Sequence, residues 1–220
     1  MVSMPAFVIQ VGNLGGTLEN VSVTPPTRAP DADADLAARA SRGDSQAFRA
    51  LVGQYQRRVY AVAYRMLGDA SEAEDLTQDV FVALHGALKS FRAESKLSTW
   101  IYRITRNHCL NRIKYLNRRG RKAQMASSDA DGEDVIAQLK SDDPSPARLM
   151  EVAQDTKKLE AALLTLPPEQ RLLVVLREVE QLSYEEMVEA TGLPIGTIKS
   201  RLHRARAALI EALPELGATS

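Results

Sequence analysis

Between Phe91 and Lys122 the chain gathers groups that bind polyanions and unpaired bases. Residues 96–125 carry nine basic side chains and no acidic one. Trp100, Arg103 and Asn107 recur at spacings of three and four, so on a helix they share one face. A Trp beside cations can stack on an unpaired base. An Asn amide can form paired hydrogen bonds with an adenine edge. Arg106, Arg112, Lys114, Arg118, Arg119, Arg121 and Lys122 extend the charge that attracts phosphate. The combination suits single-stranded or melted DNA better than closed duplex. The same residues also fit a plainer arrangement, with Trp100 in a core and the Arg run simply solvated.

A second constellation lies in LSYEEMVEATGLPIGTIKSRLHRARAAL, residues 182–209. Ser183 and Glu186 stand at capping-box spacing at the start of a short helix. Gly192 stands where a left-handed residue ends it. Pro194 fits the first turn of a new helix. Helix, tight turn, helix is the form of a helix-turn-helix. In the second helix Ile198, Leu202, Ala205 and Leu209 pack inward. Thr197, Ser200, Arg201 and Arg204 face away, with Lys199 and His203 on the flanks. Such a face can lie in a major groove, where Arg and Lys reach guanine edges or phosphates and Ser and Thr reach either. Its plainer alternative is a solvated basic face. A third surface, Asp75, Gln78 and Asp79, is acidic and amide in character. DNA phosphate would repel it; it suits a basic protein surface, or else solvent.

All of these groups need helices to position them. Phe48, Leu51, Val52, Tyr55, Val59, Val62 and Met66 form one helix face, after a short Ala-rich helix ended by Gly43 and a cap at Asp44. Gly68 stops that helix, and Ser71 with Glu74 matches a capping box for the next. That helix sets Leu76, Val80, Leu84, Leu88 and Phe91 on one side and Asp75, Gln78, Asp79 and Val82 on another. The stretch 91–98 breaks the period as a loop. Ser98 caps a further helix to about Asn117, with Ile101, Ile104, Cys109, Ile113 and Leu116 apolar. Helices are expected over 149–165, 168–180, 184–190 and 195–212. No strand pattern or repeat is present. The fold class is all-α, with two small helical domains at 31–122 and 149–214. A flexible acidic linker at 123–148 joins them, with tails at 1–30 and 215–220.

The 220 residues carry 28 basic and 28 acidic side chains, a net charge of zero that hides the basic block. No apolar run approaches a membrane span, and MVSMPAFVIQV is not a secretory signal. The one cysteine, Cys109, allows no intrachain disulfide, so a reducing, cytoplasmic setting is expected. Catalysis is not expected. Adjacent His108 and Cys109 point about 100° apart on a helix, and there is no phosphate-binding Gly loop and no metal-ligand spacing. No cofactor or metal is expected.

DLTQDVFVAL (75–84), FRAESKLSTWIYRITRN (91–107) and LSYEEMVEATGLPIGTIKSRLHRAR (182–206), in this order and spacing, resemble bacterial sigma factors of the extracytoplasmic-function group. The resemblance covers about residues 33–120 and 150–213. It implies sigma region two, the linker, and region four with its helix-turn-helix. It implies core RNA polymerase as partner, through its β′ clamp helices and β flap, with Asp75, Leu76, Gln78, Asp79, Val80, Phe81 and Leu84 as the clamp-binding set. Minus-ten binding and melting would fall to Phe91, Arg92, Ser95, Trp100, Arg103, Arg106, Asn107 and Arg112. The minus-thirty-five element would be read by Thr197, Lys199, Ser200, Arg201, His203 and Arg204. An anti-sigma factor is the implied control. A stand-alone helix-turn-helix regulator is the alternative; it would leave Trp100, Asn107 and the Asp75–Asp79 surface without a role.

Overall fold

The computed structural model describes residues 30–91, 95–126 and 146–213, with side chains over 33–91, 95–120 and 155–213. Among these residues every regular element is helical. Four helices, α1 (Pro30–Ser41), α2 (Ser45–Leu67), α3 (Ala70–Ala87) and α4 (Leu97–Ala126), form the first unit, with a 3₁₀ turn at Leu88–Ser90. The second holds α5 (Pro146–Thr165), α6 (Pro168–Val174), a π turn (Val175–Val179), α7 (Tyr184–Thr191) and α8 (Ile195–Ala212). Most of the expected tails and linker, 1–29, 127–145 and 214–220, lie outside the described residues.

Local chemistry accounts for most of the boundaries. The Asp44 carboxylate accepts the Gln46 and Ala47 N–H groups at 2.9 and 3.0 Å, capping α2. Gly68 ends α2 at φ 76°, a conformation that favours glycine. Three expectations shift. Asp69, not Ser71, caps α3: its backbone is extended after Gly68, and its carboxylate accepts the Glu72 N–H at 2.8 Å. A carboxylate is the stronger acceptor and also favours the positive end of the helix. The next helix begins at Leu97 rather than after Ser98, with the Lys96 carbonyl accepting the Trp100 N–H at 3.1 Å, and it runs on to Ala126 rather than ending near Asn117. Pro194 precedes α8 as its N-cap, its carbonyl accepting from Thr197 and Ile198.

The α2 stripe packs as expected, with Leu51, Val59, Val62 and Met66 at 0% exposure. On α4, Ile101 and Cys109 are fully buried, and so are Tyr102 and Thr105, two hydroxyl-bearing residues on the same face. α7 packs on α4, while α5, α6 and the π turn pack on α2. The two units therefore share one continuous apolar cluster.

Arg171 joins them most directly. It is buried, and its guanidinium donates to the carbonyls of Met66, Leu164 (2.6 Å) and Leu166 (3.1 Å). Met66 and Leu164 sit in the last turns of α2 and α5, where carbonyls lack helical partners and the helix dipole favours a cation. One side chain thus caps two helices from different units. Close by, Leu164 lies so near Gly68 that a β-carbon there would fall 2.5 Å from its Cδ1.

Candidate nucleic-acid interface

The helix-turn-helix forms as its residues dictate. Ser183 Oγ accepts the Glu186 N–H at 3.1 Å, and the Glu186 carboxylate accepts the Ser183 N–H at 2.8 Å, a complete capping box. Gly192 closes α7 at φ 71°. Burial works against the Glu186 charge, but hydrogen bonds from Lys96 and the Ser183 N–H outweigh it and hold its carboxyl below the usual range. Ser183→Ala should destabilise the fold by about 1 kcal/mol, as loss of a Ser cap does elsewhere. A urea midpoint equal to the parent's would show that the box contributes nothing.

Ile198, Leu202 and Ala205 are buried at 0–1% exposure, and Leu209 is half-buried. That leaves Lys199, Ser200, His203 and Arg204 exposed on the opposite side, with Thr197 half-buried. The four cations of α8 then divide. Arg201 is ion-paired with Glu169, and Arg206 with Glu178 at 2.6 Å, both tying α8 to the α6 segment. Arg204 instead turns along its own helix, Nε 3.4 Å from the Ser200 carbonyl. Lys199 Nζ stands 5.3 Å from the Tyr184 ring centroid, and the Arg177 guanidinium 4.8 Å from the same ring. Tyr184 thus lies against two cations, a contact that pattern reading passed over. Its place between two cations depends on the α7–α8 angle, which no spacing reveals.

On α4, Arg103 and Asn107 are exposed. Arg106 is half-buried and donates to Asn107 Oδ1 at 3.2 Å, fixing the amide beside the guanidinium. Trp100 is only 8% exposed, its ring 5.0 Å from that of Phe91. In this arrangement it is a packed residue at the edge of the basic face. Ser95 is half-buried, and Arg92 lies outside the described residues. Arg112 is separated from its proposed companions. It is about 140° around the helix from Asn107, with Nε 2.6 Å from Glu72 and Nη2 3.6 Å from Asp75. It is spent on holding α4 to α3.

On α3, Leu76, Val80 and Leu84 are buried at 0–1% and Phe81 at 9%, so they support the surface rather than present it. Asp75, Gln78 and Asp79 are exposed. Val82 joins them at 74% exposure, an apolar group on the acidic face and absent from the expected contact set. The signal was available: Val82 falls three and four residues beyond Asp79 and Gln78.

Cys109 is fully buried and its thiol is pushed up to about 12 by that burial, which leaves almost no thiolate at neutral pH. Among the described residues no group of three or more His, Cys, Asp or Glu is placed to hold a metal ion, and no helix is long and apolar enough to cross a membrane.

A basic helix beside an aromatic pair, and a helix-turn-helix with an outward basic face, are the parts expected of a protein that reads nucleic acid. Residues 51–119 match the Sigma-70 region 2 family model, and residues 156–209 the Sigma-70, region 4 model. The chain is 36% identical over 184 residues to the RNA polymerase sigma-H factor of Pseudomonas aeruginosa, covering 84% of this chain and 95% of that one. Identity to the ECF RNA polymerase sigma factor SigW of Bacillus subtilis is 33% over 181 residues, covering 80% and 93%. Two solved structures share the fold. CnrH, in complex with the cytosolic domain of CnrY, gives a TM-score of 0.60 at 26% identity over 84% of this chain and 99% of that one. The sigma factor RpoE of Bartonella quintana, in complex with the anti-sigma factor NepR, gives 0.58 at 28% identity over 76% and 96%. The chain belongs to the extracytoplasmic-function sigma factors of bacterial RNA polymerase. It acts in transcription initiation as an alternative sigma factor with DNA-binding regions two and four.

Proposed function

We propose that residues 31–122 bind the β′ clamp helices of core polymerase and open the minus-ten element, while residues 149–214 engage the β flap and read the minus-thirty-five element. The observation that carries this is the division of α8. Arg201 and Arg206 are anchored backward on Glu169 and Glu178, so Lys199, Ser200, His203 and Arg204 form the outward reading face. Arg103, Arg106 and Asn107 supply the matching face on α4. The protein confers specificity in the cytoplasm and leaves the covalent chemistry to the polymerase. Melting takes roughly 1–2 kcal/mol of stacking per base-pair step, offset by capturing unpaired bases. Two weak readers held on one polymerase act together through effective concentration. An anti-sigma factor is the proposed control, supported by the partner-bound states of CnrH and RpoE.

The acidic face of α3 is the proposed clamp contact: Asp75, Gln78 and Asp79, with Val82 at its C-terminal end. Asp79→Arg should weaken core binding at least ten-fold, because one charge reversal replaces attraction with repulsion across the interface. Far-UV circular dichroism should be unaltered. Parental affinity for core in a fluorescence titration would remove the assignment. The reading as a whole is tested by multi-round transcription with core polymerase on a promoter library. New starts that depend on this chain are expected. Stable duplex binding without polymerase, and no new starts with it, would mean a stand-alone regulator instead.

A further inference from the structure

Five of the nine cations between residues 96 and 125 fall after Ile113, and neither proposed reading face uses them. Two of the earlier ones are spent within the fold: Lys96 is paired with Glu186 at 2.8 Å and Arg112 with Glu72 at 2.6 Å. Lys114, Arg118 and Arg119 are exposed, and among the described residues none of them has a carboxylate partner. Glu72 stands in the first turn of α3 and already meets Arg112, whereas α4 continues to Ala126. The end of α4 therefore projects past the helix it packs on. Asn117, Arg118, Arg119 and Gly120, a full turn, are all exposed. A turn with no buried face gains nothing from packing. Gly120 costs about 1 kcal/mol there relative to Ala, and Lys114 and Arg118, like charges one turn apart, repel each other. Nothing within the fold accounts for this concentration of charge; a polyanion outside it does.

Helical register places that polyanion. Arg103, Asn107, Lys114 and Arg118 follow at spacings of four, seven and four, which keeps them within about 60° of one another around α4. All four are exposed. Arg119 is turned about 100° from Arg118 and roughly 160° from Arg103. The face proposed above to meet the minus-ten element thus continues, as cations, toward the free end of the helix. The Phe91–Trp100 pair sits at the opposite end. Aromatic rings suit unpaired bases, whereas cations without rings suit the phosphates of closed duplex. From Asn107 to Arg118 the helix rises roughly 16 Å, the length of about five base pairs.

We propose that Lys114 and Arg118 bind backbone phosphates of the closed duplex between the two promoter elements, about five base pairs upstream of the contact made by Asn107. They form a sequence-independent anchor that holds this duplex while the minus-ten element opens. This rests on the two-element reading above.

The test uses holoenzyme formed from the full chain and core polymerase. Its DNA is a fork-junction promoter without a minus-thirty-five element, the duplex ending either about two or about ten base pairs upstream of the minus-ten element. On the long template Arg118→Ala should weaken binding roughly five-fold at about 0.15 M salt. It should also lower the slope of log affinity against log salt by about 0.9, the release of one phosphate counterion. Lys114→Ala combined with Arg118→Ala should lower the slope by about twice as much. Arg119→Ala, on another side of the helix, should keep the parental slope. On the short template every variant should bind as the parent does. Core affinity and Tm should also be parental, because the altered groups are exposed and hold no partner in the fold. A parental slope for the double variant on the long template would overturn the anchor. An equal loss on both templates would also overturn it, placing the cations on the melted strand. So would a drop in core affinity, which would place them on the polymerase. Failure of the two-element reading is distinct: the parent holoenzyme would then bind neither template, and the anchor would fall with it.

Discussion

Arg171→Ala should melt about 6–12 °C below the parent, the shift that about 3 kcal/mol produces in a domain of this size. The guanidinium serves three carbonyls: Met66 and Leu164 at the ends of two helices, and Leu166 just beyond. Each buried carbonyl left without a donor costs about 1–3 kcal/mol, less where water can enter. The group is not an optimal one. Burial lowers its pKa, and its Nε is buried with no acceptor, so part of the gain from its hydrogen bonds is already offset. Arg171→Lys keeps a cation but not the fork that reaches two helix ends, and should fall between the two. A shift below 2 °C for the alanine variant would mean that water or backbone movement replaces the guanidinium.

Promoter output should fall ten-fold or more in Arg204→Ala, the value expected when one good base or phosphate contact is lost. Its melting temperature should match the parent's, because the Arg204 guanidinium is exposed and, among the described residues, bonds only to a carbonyl of its own helix. Arg206→Ala should do the reverse. Arg206 is held by Glu178 at 2.6 Å, so its loss loosens α8 from the preceding segment while leaving base preference unchanged. Parallel transcription and melting of the two variants checks the assignment. Equal losses of promoter output with equal melting shifts would show that the two cations are not divided between reading and anchoring.

How much of this was legible from residues alone varies by element. The Ser183–Glu186 box, the Gly192 turn and the limits of α8 follow from short-range chemistry, and the structure has them where spacing put them. The start of α3 was misplaced because two caps competed. Ser71 and Glu74 satisfy a pattern, but Gly68 leaves Asp69 already extended, with a carboxylate in place. Side-chain roles were harder to read. Arg112 looked like part of a basic DNA face, yet Glu72 and Asp75 approach it from a helix some forty residues earlier in the chain. Val82 was placed by spacing on the side of Asp75, Gln78 and Asp79, and it is exposed there, though it was absent from the expected contact set.

By itself the sequence determined what depends on neighbours within a turn or two: helices, caps, the helix-turn-helix, the basic character of α4 and α8, and the acidic character of α3. Helical periodicity and capping are local, so they can be read without knowing what packs where. Only the tertiary structure decided which charges are spent and which are left to act. Arg201, Arg206 and Arg112 are neutralised by carboxylates distant in sequence, while Arg103, Lys199 and Arg204 face outward. It also decided that the two units dock, bringing Glu180 to Arg58 and Tyr102. Contacts between residues more than a hundred positions apart leave no period in the chain, because they follow from how finished helices fit together.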